Sequence, residues 1–239
     1  MTQSKYRLRR FIRRFPALHL PFLRRKWEKW ESEREGGKPP SVVVSGETRV
    51  VVDGFPRSGN SFFVALLAVT QPPELKMSHH LPSAAHIKEG VKRKLPVIVI
   101  LREPREAVLA YCAYDRNIPL SESLLDWISF YGQVSTLPTR SYALARFEKF
   151  IEDGDEVVQD VNGVFEGMLS AFDHALGEVD AKKYLERTSI AAFGISHRSQ
   201  PTKERTDYKE SIRAELEGEA IKPLLEKAEV IYRKLCDKA

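Results

Sequence analysis

Val50-Val51-Val52-Asp53-Gly54-Phe55-Pro56-Arg57-Ser58-Gly59-Asn60-Ser61, followed by the apolar and helix-compatible residues 62–69, decides the fold. A short apolar run ending in turn residues reads as a buried strand, and the apolar segment beyond the loop reads as a helix. Two glycines and a hydroxyl residue give this strand–loop–helix the frame of a phosphate-binding loop. In the pattern G-x-x-x-x-G-K-[ST], backbone N–H groups cradle phosphates, the Lys reaches the β/γ-phosphates and the hydroxyl holds Mg²⁺. Gly54, Gly59 and Ser61 keep that frame, but Asn60 stands in the lysine position. A neutral amide cannot neutralise charge on a γ-phosphate, whereas Arg57 inside the loop offers a planar fork suited to a phosphate or sulfate. The loop therefore predicts a nucleotide that is not a triphosphate.

Leu95-Pro96-Val97-Ile98-Val99-Ile100-Leu101 reads as a second buried strand, and it runs directly into Arg102-Glu103-Pro104-Arg105-Glu106. Ligands of open α/β sheets bind outside the carboxyl ends of the strands, so Arg57 and Arg102 are expected to meet at one rim. Arg105 is equally readable as a solvated residue at a helix start. Between the two strands lies Met77-Ser78-His79-His80-Leu81-Pro82. An imidazole titrating near neutrality suits removal of a proton from a hydroxyl. A pair of loop histidines without chemistry is the competing reading.

These three segments together resemble the sulfotransferases that use 3′-phosphoadenosine 5′-phosphosulfate (PAPS), of which the chain would be a divergent, bacterial-type member. Pro56-Arg57-Ser58-Gly59-Asn60-Ser61 is similar to the family's 5′-phosphosulfate loop, P-[RK]-S-G-T-[TS], and departs from it at Asn60. His80 falls on the His of the family's K-T-H-L-P segment, a general base, with Ser78 at the Lys position and His79 and His86 as alternative bases. Arg102 matches the Arg that holds the 3′-phosphate, but the family's Ser eight residues later is Ala110 here; Tyr111, Tyr114 or a later basic residue would have to stand in. The family's late R-K-G-x-x-G-x-W-K element is absent, and residues 196–205 supply a basic loop instead, with Arg198, Lys203 and Arg205 as candidates for the 3′-phosphate.

The resemblance implies a P-loop NTPase-like α/β fold, a three-layer sandwich around a mainly parallel sheet. It also implies in-line transfer of the sulfuryl group from PAPS to an acceptor hydroxyl of a glycan, lipid or small molecule, with no metal. His80 and Arg57 would be catalytic, and Pro56, Arg57, Ser58, Gly59, Asn60, Ser61, Arg102 and Arg198 would bind the cosubstrate. Two other readings stand beside this one. The first is a decayed nucleotide-binding or membrane-peripheral protein, and the second a divergent P-loop kinase.

Composition fits a soluble enzyme: 239 residues, 42% hydrophobic and 30% charged, enough for one α/β domain with a sizeable core. The formal net charge of +5 suits an anionic cosubstrate without selecting it. Cys112 and Cys236 make no disulfide framework, so a reducing, cytoplasmic setting is expected, with Cys112 as a buried structural thiol.

The N-terminal arm carries nine Lys and Arg residues before the first acid, Glu28. As a helix it places Leu8, Phe11, Ile12 and Phe15 on one face and Arg7, Arg9, Arg10, Arg13 and Arg14 on the other. Residues 5–30 could lie on an anionic membrane surface, peripheral on its inner face. Alternatively, the apolar stripe docks on the domain and leaves its arginines in water. Nucleic acid is not expected as a partner, because no nucleic-acid module follows. Glu35-Gly36-Gly37-Lys38-Pro39-Pro40 reads as a linker, dividing an arm (1–40) from an α/β domain (41–239). Within the domain, residues 41–45 are expected as a short edge strand, 142–148 as a third core strand, 155–172 as a helix, and 202–236 as closing helices.

Overall fold

The computed structural model describes residues 3–32, 43–193 and 201–238. Four strands form one sheet: β1 (Val50–Gly54), β2 (Met77–His79), β3 (Val97–Leu101) and β4 (Ala143–Arg146), in the order β2-β1-β3-β4. Every neighbouring pair is parallel, with Val51 opposite Val97 and Ile98 opposite Ala143. All four carboxyl ends therefore open on one rim, and the two central strands are buried at every residue.

Alternation along the strands splits the core into two layers, because successive strand side chains point to opposite faces. Val51, Val97, Val99 and Leu101 pack with α4 (Ala84–Lys92), α5 (Pro104–Tyr114), α6 (Leu120–Val134) and α11 (Lys222–Cys236). Val50, Val52, Ile98 and Ile100 pack with α3 (Asn60–Thr70), α7 (Phe147–Glu152) and α8 (Gly154–Val164) on the other face. The long α9 (His174–Phe193) backs α3 from outside, and α10 (Lys203–Arg213) leans on α5. The result is a three-layer α/β sandwich. Among the described residues no helix is long and apolar enough to cross a membrane.

Two expectations about elements change. Residues 43–45 form no strand, although Val43 and Val44 are buried; the edge of the sheet is β2 instead. The helix expected over 155–172 ends at Val164, where the side chain of Asn162 takes over the backbone of Leu169, accepting from its N–H and donating to its carbonyl. The linker at 35–40 lies outside the described residues.

The arm forms α1 (Gln3–Ile12) and α2 (Pro16–Ser32), and it docks in the reverse sense to the docking alternative above. Arg10 pairs with Glu122 and Asp126 of α6, and Arg9 with Asp126. Tyr6 is buried, its hydroxyl donating to the carbonyl of Asn117, and Leu20 and Leu23 pack with Val43 and Leu81. Leu8, Phe11 and Phe15 face outward. Charge complementarity with two acids of α6, invisible in the arm's own periodicity, chose the docking face.

Candidate functional site

The loop from Gly54 to Gly59 turns at the end of β1 under tight steric limits. A side chain at Gly54 would place Cβ 2.5 Å from the carbonyl oxygen of Ile100, on the neighbouring strand. At Gly59 the backbone has φ of 89°, and a Cβ would meet the rings of Phe147 and Phe150 at 2.7 Å. Both glycines of the motif are thus steric necessities of this turn. Arg57 adopts φ of 66° without being glycine, which turns its carbonyl toward Arg102; Nη1 of Arg102 donates to that oxygen at 2.8 Å.

Tyr131 of α6 braces the loop from below, and nothing in the motif points to it. Its hydroxyl donates to the carbonyl of Ile100 at 2.6 Å, accepts from the N–H of Phe55 at 3.2 Å, and lies 3.5 Å from the fully buried Ser58 hydroxyl. Burial pushes the phenol upward, so it keeps its proton. Asn60 also faces inward. Its amide donates to the carbonyls of Gly54 and Phe55 at 3.2 and 3.0 Å, which closes the loop and turns the side chain away from any anion outside it. What the first turn of α3 offers outward is its backbone N–H groups and the half-buried Ser61 hydroxyl, at the positive end of the helix dipole.

Three arginines gather at this rim. Arg57 and Arg205 both approach the Tyr114 ring, with guanidinium carbons 4.9 and 5.1 Å from its centroid. Arg102 stacks on Phe147 at 4.1 Å while holding the Arg57 carbonyl. Burial and then the charge of Arg205 hold the Arg57 guanidinium down to about 10, with Arg102 adding to the effect and Tyr114 opposing it. Arg57 therefore remains cationic at neutral pH. α10 brings Arg205 here because Lys209 and Arg213 on that helix pair with Glu106 of α5.

The other residues singled out in the sequence distribute as follows. Arg105 pairs with Glu217 and Glu229, so it ties α5 to the C-terminal segments and does not face the rim. Tyr114 stands among the arginines, whereas Tyr111 packs edge-on against Phe55. Arg198 lies outside the described residues. Burial pushes the Cys112 thiol up to about 11, which leaves it protonated and unreactive at neutral pH.

The histidines separate by position. His80 follows β2 with φ of 62°, and its Nε2 lies 2.9 Å from the Ser61 hydroxyl, which links it to the loop helix. Its Nδ1 shares a hydrogen bond with Nδ1 of His79. For Nε2 of His80 to accept a proton, Nδ1 must carry the hydrogen and donate it to His79. Burial lowers both imidazoles, His79 well below the ordinary value with His80 and His86 adding to it, and His80 with Asp53 opposing. Both rings are therefore neutral at pH 7, the state a proton acceptor requires.

His86 has a different job. It is fully buried on α4, its Nδ1 3.0 Å from Oδ2 of Asp53 and its Nε2 2.8 Å from the hydroxyl of the buried Ser78. Oδ1 of Asp53 accepts from the N–H of Gly54 at 3.0 Å. Both ring nitrogens are occupied, so this chain of contacts ties β2, α4 and the start of the loop together beneath the rim. Asp53 appears in the sequence only as the polar end of an apolar strand. Among the described residues no group of His, Cys, Asp and Glu has the arrangement of a metal site.

No protein-family model matches this chain, and no curated protein matches it either.

Proposed function

We propose that this protein is a PAPS-dependent sulfotransferase built on a P-loop NTPase-like core. The observation that carries the reading is the gathering of Arg57, Arg102 and Arg205 beside the first turn of α3, with the His80 imidazole joined to that turn through Ser61. Like charges gathered on a half-buried rim attract a polyanion, here one with a 5′-phosphosulfate and a 3′-phosphate. The inward-turned Asn60 leaves the loop without a lysine for a γ-phosphate, which favours this reading over a kinase.

In the proposed reaction the acceptor hydroxyl oxygen attacks sulfur in line with the bond to the 5′-phosphate. The new S–O bond forms as the old one breaks, and adenosine 3′,5′-bisphosphate leaves. Nε2 of His80 takes the acceptor's proton. Arg57 and the amides of residues 58–61 hold the charge that grows on the leaving phosphate, the type of contribution that usually dominates such catalysis. Arg102, with Arg205, holds the 3′-phosphate, the role that Ala110 cannot fill. With two free cysteines, a cytoplasmic setting belongs to the same proposal. The test is release of adenosine 3′,5′-bisphosphate from PAPS across a panel of hydroxyl acceptors. Acceptor-dependent release that disappears in His80→Ala supports the proposal, and no release with any acceptor class while PAPS binds favours the decayed reading.

A further inference from the structure

Nine large hydrophobic side chains are well exposed among the described residues, and five of them line the N-terminal arm: Leu8, Phe11, Phe15, Leu18 and Phe22. They recur at intervals of three and four, Phe11 and Phe22 are 53% and 62% exposed, and the Phe11 and Phe15 rings lie 5.1 Å apart. Scattered exposed hydrophobes need no explanation, but five gathered on one arm mark a contact surface. The arm is not free to roll over and hide it. Arg9 and Arg10 are held by Glu122 and Asp126, Nδ1 of His19 lies 2.7 Å from the buried Ser83 hydroxyl, and the N–H of Ala85 donates to the carbonyl of Arg13. The opposite face of the arm is thereby fixed against α4 and α6.

Charge decides what covers the stripe. Lys5, Arg7, Arg25 and Lys26 are exposed on the same two helices and Arg14 on the turn between them, and the chain has no acid before Glu28. Pairing two copies through this face would bring like charges together. An anionic lipid surface instead accepts the aromatic stripe at its acyl boundary and neutralises the cations in its headgroups. We infer that the outward face of α1 and α2 seats the protein on anionic membrane, with Phe11 and Phe22 as its apolar anchors. The inference stands apart from the sulfotransferase reading, since it uses no residue of the arginine rim. The arm nevertheless adjoins that rim: Arg10 and Arg13 share a small cavity of about 20 Å³ with Phe55, Pro56 and Pro82.

The full-length protein should float with vesicles of phosphatidylcholine and phosphatidylglycerol and not with phosphatidylcholine alone, and rising salt should weaken the association. Phe11→Ser/Phe22→Ser should lower partitioning by about tenfold or more, with circular dichroism and affinity for adenosine 3′,5′-bisphosphate unchanged. Arg7→Gln/Arg25→Gln should lower partitioning and its salt dependence while leaving the same two controls intact. Absence of flotation with anionic vesicles overturns the inference. So does a concentration-dependent dimer that Phe11→Ser/Phe22→Ser converts to monomer. If that variant misfolds, the salt response of the wild-type protein decides: binding that ignores both salt and lipid charge contradicts the proposal.

Discussion

The Ser61 hydroxyl lies 2.9 Å from Nε2 of His80, joining the first turn of the loop helix to the residue that ends β2. One hydroxyl thus stands between the proposed anion site and the proposed base. His80→Ala should lower turnover by ~10²–10⁴-fold, the usual loss for a positioned base, while calorimetric affinity for adenosine 3′,5′-bisphosphate stays near wild type. A parallel collapse of affinity would mean that His80 shapes the site and takes no proton.

Because burial lowers His80, its neutral form persists below pH 6.5. The acid limb of the pH–kcat profile should therefore fall below pH 6.5, where free imidazole titrates. A limb centred above that value assigns the base elsewhere.

Arg102 and Arg205 approach the rim from different elements, α5's leading loop and α10. Replacing either by Ala should weaken adenosine 3′,5′-bisphosphate by about ten- to a hundredfold, as expected for loss of a charge-assisted contact. Affinity for 5′-AMP should change far less. Equal losses for both nucleotides, measured side by side, would remove these residues from the 3′-phosphate.

Tyr131→Phe leaves the carbonyl of Ile100 and the N–H of Phe55 without their shared partner inside the core. The cost should be about 1–3 kcal/mol, read as a lower Tm and weaker nucleotide binding together. A variant with unchanged Tm would show that the loop does not depend on this brace.

His19 supplies a stability test that is independent of activity. Burial lowers its imidazole from 6.5 to about 4, with Arg13 and His86 acting in the same direction. As pH falls, the unfolded chain takes up this proton first, so stability is unaffected above pH 6.5 and is lost between about 6.5 and 4. His19→Gln should flatten that decline by up to about 1.4 kcal/mol per pH unit, measured by urea unfolding across the range. An unchanged slope would place the lost stability in other groups, such as His79.

What the sequence made legible follows from locality. β1, the glycine turn and α3 are adjacent in the chain, and β3 leads straight into Arg102, so buried-strand patterning plus turn chemistry sufficed for both. Tyr131 was invisible because its role depends on α6 crossing beneath a loop some seventy residues earlier in the chain. Asp53 and His86 met only once α4 packed on β1. Asn60 read as a residue facing an anion, yet the carbonyls of Gly54 and Phe55 claimed its amide. In the arm, periodicity identified the stripe correctly but could not say which face docks, since Glu122 and Asp126 set that from a distant helix.

The most direct measurement is calorimetric titration of the full-length protein with adenosine 3′,5′-bisphosphate, set against 5′-AMP and ATP–Mg²⁺. A PAPS site of this kind should give micromolar binding that requires the 3′-phosphate and no metal, weakened in Arg102→Ala. Absence of binding, or a preference for ATP–Mg²⁺, would contradict it.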